Sequence, residues 1–235
     1  MAFSITTIPK IMRAKGWANG ARLMEGWFSR PSATAPAYGT PESQTIRTTW
    51  VLSFARAKFV YDQIMRERIW ANPAAQKEIA KLLRKKQLLS SVPRSAAFGN
   101  LSAPVTTVDL DYINQRVVGF GSSDLDDMSA ALGNFAFRVA VAGGVTPIPR
   151  ASRFEVIIAE VGVYVRDSYD FNGDQFLGFW DDQDNAMSMI NPLSGTRVTN
   201  SDFRAWRDRN GKGGDFMVYS DLIKMRLAVP EVFSI

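Results

Sequence analysis

From Phe154 to Val165 the chain is strongly apolar, and its alternation changes phase part-way. Phe154, Val156 and Ile158 occupy even positions, whereas Val161, Val163 and Val165 occupy odd ones. Side chains of a strand alternate strictly between its two faces, so a phase change requires one extra residue. The spacing predicts a long strand with a bulge or bend at Ala159–Glu160, a device that re-aims side chains beside sites. A dense polar run follows at once: Val165-Arg166-Asp167-Ser168-Tyr169-Asp170-Phe171-Asn172-Gly173-Asp174. It sets four acid/base or metal-ligating oxygens (Asp167, Asp170, Asn172, Asp174) and the Tyr169 phenol at the end of a rigid scaffold, where chemistry is commonly presented.

The remaining chain divides by period. Up to about residue 100 the pattern is helical. Trp17, Met24, Trp27 and Phe28 fall near helical spacing, which suits core packing or a partner-binding face. Pro31 to Pro41 lacks a period and is rich in Pro, Ala, Gly, Ser and Thr, as a linker is. Ala55 to Trp70 is a helix with Ala57, Tyr61, Ile64 and Met65 on one side. Asn72-Pro73 restarts the chain as cap and first helical residue, and that helix runs to about Leu89. Ser90 to Pro104 is a second loop, where a boundary is expected. Beyond it the period becomes that of strands: Val105–Leu110, Arg116–Phe120, Phe135–Val141, Phe154–Val165, Phe176–Trp180 and Asp215–Asp221. Short helices begin at Ser123, stopped by Gly133, and at Asn200-Ser201. Gly143-Gly144 and Asn210 to Gly214 are expected turns. The expected class is α+β: an N-terminal helical region, residues 1–100, followed by a mostly antiparallel β-sheet domain with short helices, residues 101–235.

Composition removes several chemistries. The 235 residues contain no cysteine and no histidine. Disulfides, thiolate metal sites, the usual zinc ligands and every Ser-His or Cys-His nucleophile pair are therefore excluded. Catalysis would have to run on carboxylates, Tyr, Lys, Arg, backbone amides or a hard cation. No apolar run approaches the roughly 20 residues of a membrane span, and Met1 to Lys10 lacks a signal-peptide pattern. A cytoplasmic location in the producing cell is expected. Charge is uneven: 16 Lys/Arg against 5 Asp/Glu up to Asn100, and 12 against 18 after it. The front half is either a set of solvated helix faces or a docking surface for an acidic partner. Its basic residues form no compact run and no recognised module, so nucleic acid is not an expected partner.

Around the polar corner, Asp170, Asn172, Asp174 and Asp181 take positions 1, 3, 5 and 12 of an EF-hand-like register. The sixth position holds Gln175 instead of glycine, and a strand precedes the loop. Two readings stay open: a looser magnesium or calcium site on Asp170, Asn172 and Asp174, or a turn in which Asp and Asn bond their own backbone. Arg204 and Arg207, three apart on one helix, would clamp either a phosphate or the acidic loop.

Two resemblances rest on these residues. Ala131-Leu132-Gly133-Asn134-Phe135-Ala136-Phe137, the long apolar strand and then Asp167-Ser168-Tyr169-Asp170-Phe171-Asn172 resemble the catalytic domain of colicin-M-type bacteriocins, over residues 130 to 221. The resemblance implies magnesium-dependent cleavage of the lipid-linked pyrophosphate of lipid II, a peptidoglycan precursor, at a membrane surface. Asp167, Tyr169 and Asp170 match the motif, and Arg204 or Arg207 would stabilise pyrophosphate charge. Where that family continues with His-Arg, this chain reads Gln175-Phe176-Leu177-Gly178. The full length, from Met-Arg-Ala-Lys-Gly-Trp through Trp50–Arg56 to Gly213-Gly214-Asp215-Phe216, is similar to proteobacterial proteins encoded beside type VI secretion spike components. That implies an antibacterial effector delivered to a target periplasm, with a spike or adaptor protein and a cognate immunity protein as partners. The alternative it leaves is a non-catalytic adaptor or spike-associated binding protein with a degenerate toxin-like fold.

Overall fold

The computed structural model describes residues 3–89, 94–121 and 124–235. Helices α1 (Ile8–Ala14), α2 (Ala18–Ser29), α3 (Thr48–Val51), α4 (Ala55–Glu67) and α5 (Pro73–Lys85) come first. Strand β1 (Ala96–Phe98), α6 (Val105–Val108), β2 (Asn114–Val118), α7 (Asp127–Leu132), β3 (Phe135–Pro147) and β4 (Phe154–Tyr169) follow. The chain closes with β5 (Phe176–Asp181), β6 (Ala186–Ser188), β7 (Thr196–Thr199), α8 (Asn200–Asn210), β8 (Phe216–Tyr219) and β9 (Ile223–Ser234). This is the expected α+β class, with helices concentrated at the front and antiparallel strands behind.

The chain forms two compact units. One comprises Met1–Ile46, Gly119–Phe135 and Asp167–Val218; the other comprises Arg47–Val118, Ala136–Arg166 and Tyr219–Ile235. The boundary expected near residue 100 lies inside the second unit. Sequence neighbours share a composition, but compactness is decided by which distant segments pair.

In the second unit β3 and β4 form the long antiparallel pair at the centre of the sheet, flanked by β1 on β3 and β9 on β4, with β2 also against β3. The expected bulge is present. Ala142 faces Glu160 and Gly143 faces Ile158, so Ala159 is the extra residue. The same residue is skipped in the β4–β9 register. Gly143-Gly144 is not a turn: both glycines lie within β3. At Gly143 a Cβ would sit 1.8 Å from the Ile157 carbonyl oxygen, so glycine marks a close approach of two strands beside the bulge. The core here is Phe137, Val139, Tyr164 and Val163 from the sheet, with Ile64, Ile79 and Leu83 from α4 and α5. Asn72 caps α5 as expected, its Oδ1 accepting from Ala75 N at 2.9 Å.

Val105–Leu110 is not the strand its β-branched residues predict. This β-branched run is helical, α6 followed by a 3-10 turn at Asp109–Asp111. Pro104 starts it, and its carbonyl accepts from Thr107 N and Val108 N. Four residues are too few for intrinsic strand preference to override a proline start. The final strand expected at Asp215–Asp221 is confined to Phe216–Tyr219, and a longer one, β9, follows it.

In the first unit, α2 packs on α7, with Gly20 so close to Ala130 that a Cβ would lie 2.8 Å from the Ala130 Cβ. The Asp127 carboxylate of α7 accepts from Asn19 N and Gly20 N at 3.2 and 2.9 Å, satisfying orphan donors at the start of α2. The cap of α7 is Asp126, which forms a capping box with Ser129, and Gly133 ends the helix as expected. Ser123 lies outside the described residues. The cap of α8 is Thr199 with Asp202, one residue before the expected Asn200. Strands β6, β5 and β7 form a separate three-stranded antiparallel sheet. The linker expected at Pro31–Pro41 is tied to this unit, with bridges from Pro31 to Lys212 and from Ala33 to Gly214.

Candidate functional site

Trp27 anchors the core under the polar corner. It is fully buried, meets Phe171 and Phe203 edge-on at 4.8 and 5.5 Å, and donates from Nε1 to Asp215 Oδ1 at 2.8 Å. Phe171 and Phe203 stack at 3.8 Å and 4°. Tyr169 stacks on Phe216 at 5.2 Å. The end of β4 and the loop after it are thus fixed by aromatic contacts.

On this base lies a cavity of about 280 Å³, bounded entirely by residues of the first unit. Met12, Trp17 and Met24 come from the helical front, and Leu132 from α7. Phe176, Trp180, Met187 and Met189 come from the small sheet and the segment after it. Asp167, Ser168, Tyr169, Asp170 and Asn172 supply the polar border. Asp167, Tyr169 and Asp170, at the end of β4 and just after it, line this cavity together.

The other expected groups lie elsewhere. Asp174 does not line the cavity; its side chain is 96% exposed and pairs with Arg204 Nη2 at 3.2 Å. Arg204 also donates from Nη1 to the Phe171 carbonyl at 2.7 Å and to the Gly173 carbonyl, so it binds the acidic loop rather than facing the cavity. Arg207 is buried. It donates from Nε to the Gly213 carbonyl at 2.6 Å and pairs with Asp215, over the Trp27 ring. Of the two uses open to this pair, Arg204 takes the acidic loop and Arg207 neither.

Asp170 Oδ1 accepts from Asn172 N at 3.1 Å, the self-bonded turn that stood as one reading of the loop. The Asn172 carbonyl accepts from Asn200 Nδ2 at 2.6 Å. In the set Asp170, Asn172, Asp174 each carboxylate thus has a protein partner, the Asn172 backbone for Asp170 and Arg204 for Asp174. One carboxylate is turned to the cavity and to its own backbone, the other to solvent and Arg204. Among the described residues no three acidic side chains form a metal-holding group. Burial, and then the charge of Asp167, raise the Tyr169 phenol well above the ordinary tyrosine range, so it holds its proton at neutral pH.

Residues 3–197 and 194–235 match one family model. The chain belongs to the family of unknown function DUF6402. No curated protein and no solved structure matches it.

Sequence reasoning did not find the apolar wall of the cavity. Met12, Met24, Met187 and Met189 are four of nine methionines in the chain, an adaptable side chain that favours irregular binding surfaces. That count was the available signal. It does not say which methionines meet.

Proposed function

We propose that the protein is a non-catalytic binding protein, with the cavity of the first unit as its ligand site. One observation carries the reading: both arginines that pyrophosphate chemistry would use are bound to the protein's own loop and core, Arg204 to Phe171, Gly173 and Asp174, Arg207 to Gly213 and Asp215. An apolar cavity with a few polar groups at its border suits recognition. The gene-neighbourhood resemblance supplies the setting, an adaptor or spike-associated component of a type VI machine, made in the cytoplasm. Among the described residues no helix is long and apolar enough to cross a membrane.

The test combines chemistry and partnership. Purified protein is incubated with lipid II and magnesium, and lipid products are followed by chromatography. The expected result is no cleavage above the protein-free control, with stoichiometric capture of a purified spike protein on a sizing column. Cleavage that disappears in Asp170→Ala would overturn the reading.

One observation favours the hydrolase alternative: Asp167, Tyr169 and Asp170 border the same cavity. Under it, periplasmic expression in a sensitive cell arrests growth, Asp167→Ala and Asp170→Ala relieve the arrest, and a cognate immunity protein protects. Equal growth with all three chains is the outcome the binding reading requires.

A further inference from the structure

Two buried neutral groups on the cavity wall have hydrogen-bonding capacity to spare. Asn200 is 2% exposed and lines the cavity. Its Nδ2 donates to the Asn172 carbonyl at 2.6 Å, and a carbonyl only accepts, so the orientation of the amide is fixed. Asn200 Oδ1 is then a buried acceptor with no hydrogen bond among the described residues. Tyr169 is 8% exposed and lines the same cavity. Its ring is stacked on Phe216, but its hydroxyl makes no hydrogen bond among the described residues. Buried polar groups without partners are uncommon and costly, so each asks for one.

Charge does not select the ligand. Asp167 and Asp170 line the cavity, but Asp167 is not free, Asp170 Oδ1 accepts from Asn172 N, and Lys15 lies over the ring of Trp17 at 5.2 Å. Selection falls to the neutral groups and to the apolar wall of Met12, Met24, Trp180 and Met187. A hydrocarbon would fill the space and leave Asn200 Oδ1 unbonded. A hydroxyl is the smallest neutral group that both donates and accepts. Size sets the body: a cavity of about 150 Å³ holds benzene, so about 280 Å³ suits a compact molecule of roughly ten heavy atoms. We infer that the cavity is a site for a small neutral alcohol or phenol, its hydroxyl donating to Asn200 Oδ1 and accepting from Tyr169, its carbon body seated among Trp180 and the methionines. This rests on the binding reading and adds the ligand class.

Four probes of similar length test it at pH 7: octan-1-ol, 1-methoxyheptane, octylammonium and octanoate, the last two charged there. Binding is read by calorimetry and by the fluorescence of the cavity tryptophans. The alcohol is expected to bind about tenfold tighter than the ether, which accepts but cannot donate, and both charged probes are expected to bind more weakly than the alcohol. In Asn200→Leu the alcohol and ether converge, and persistent ether binding shows that the site is still formed. Tyr169→Phe retains the ring and weakens alcohol and ether alike by about fivefold, since each accepts from the phenol. Should Asn200→Leu fail to fold, the probe order and Tyr169→Phe decide. Four results overturn the hydroxyl assignment and leave the binding reading standing: equal binding of alcohol and ether, a charged probe tighter than the alcohol, an alcohol preference that survives Asn200→Leu, or no loss in Tyr169→Phe. Failure of every probe to bind removes the ligand site itself.

Discussion

Arg204 and Arg207 stand one turn apart on α8 and serve different ends. Arg204 is part-exposed and holds the loop 171–174 by two carbonyls and a carboxylate. Arg207 is buried with Asp215, and Asp215 also receives the Trp27 indole hydrogen. A buried pair broken on one side leaves an uncompensated charge. Asp215→Ala is therefore expected to destabilise the first unit by about 3–5 kcal/mol in urea titration, with a red shift of Trp27 emission. Arg204→Ala removes bonds at the surface, and a loss of about 1 kcal/mol is expected. Comparable losses for the two would contradict the division of labour described here. In the second unit Asp109 has a similar central place. Arg138 donates to both its oxygens at 2.8 and 2.9 Å, and the hydroxyls of Tyr164 and Tyr219 donate at 2.7 and 2.9 Å.

Among the elements, β3 and β4 show how a bulge sets residue choice on both strands. The extra residue Ala159 brings Gly143 against the Ile157 carbonyl, whereas at Gly144 the nearest atom to an added Cβ is 3.8 Å away. Neighbouring glycines thus differ in what they tolerate. Gly143→Ala must force the strands apart and is expected to cost about 1–3 kcal/mol. Gly144→Ala is expected to stay within about 0.5 kcal/mol of the unaltered protein. Denaturant midpoints of the two variants check this, and equal midpoints would argue against the close approach. The functional consequence lies downstream: the phase change fixes which face Val161, Val163 and Val165 present, and so how the strand arrives at Asp167.

On the scale of the whole molecule, buried tyrosines tie stability to alkaline pH. Burial raises the phenols of Tyr164, Tyr169, Tyr61 and Tyr219, with the charge of Asp109 adding at Tyr164 and Tyr219 and that of Asp167 at Tyr169. In the unfolded chain these groups ionise near pH 10. A raised folded-state value means the folded protein keeps protons that the unfolded chain releases, so this contribution is complete below about pH 10 and lost as pH rises toward the folded values. Melting temperature is expected to fall as pH rises above about 10, where the unfolded chain begins to release phenol protons that the folded protein keeps. Tyr164→Phe should flatten that slope, even though it lowers stability at neutral pH by stripping a hydrogen bond from Asp109. An unchanged slope would place the alkaline transition in other groups.

What the amino-acid order determined was local. The bulge at Ala159, the Asn72 cap, the Gly133 stop and the α+β class each follow from a period or a capping residue acting over a few positions. The polar run was legible as a unit, but not its surroundings: β4 continues past the expected end at Val165 to Tyr169, and the residues that close the cavity around Asp167, Tyr169 and Asp170 come from distant segments. Only tertiary structure decided the rest. Spacing put Arg204 and Arg207 on one helix, but Gly213, Asp215 and the carbonyls of 171 and 173 determine what each guanidinium touches. Asp170 and Asp174 are four residues apart and meet different surroundings. Met12, Met24, Met187 and Met189 come together across more than 170 residues of chain. A periodic pattern records that a side chain is buried; the partner that buries it is set by which distant segments share a core, and no window of neighbouring residues carries that information.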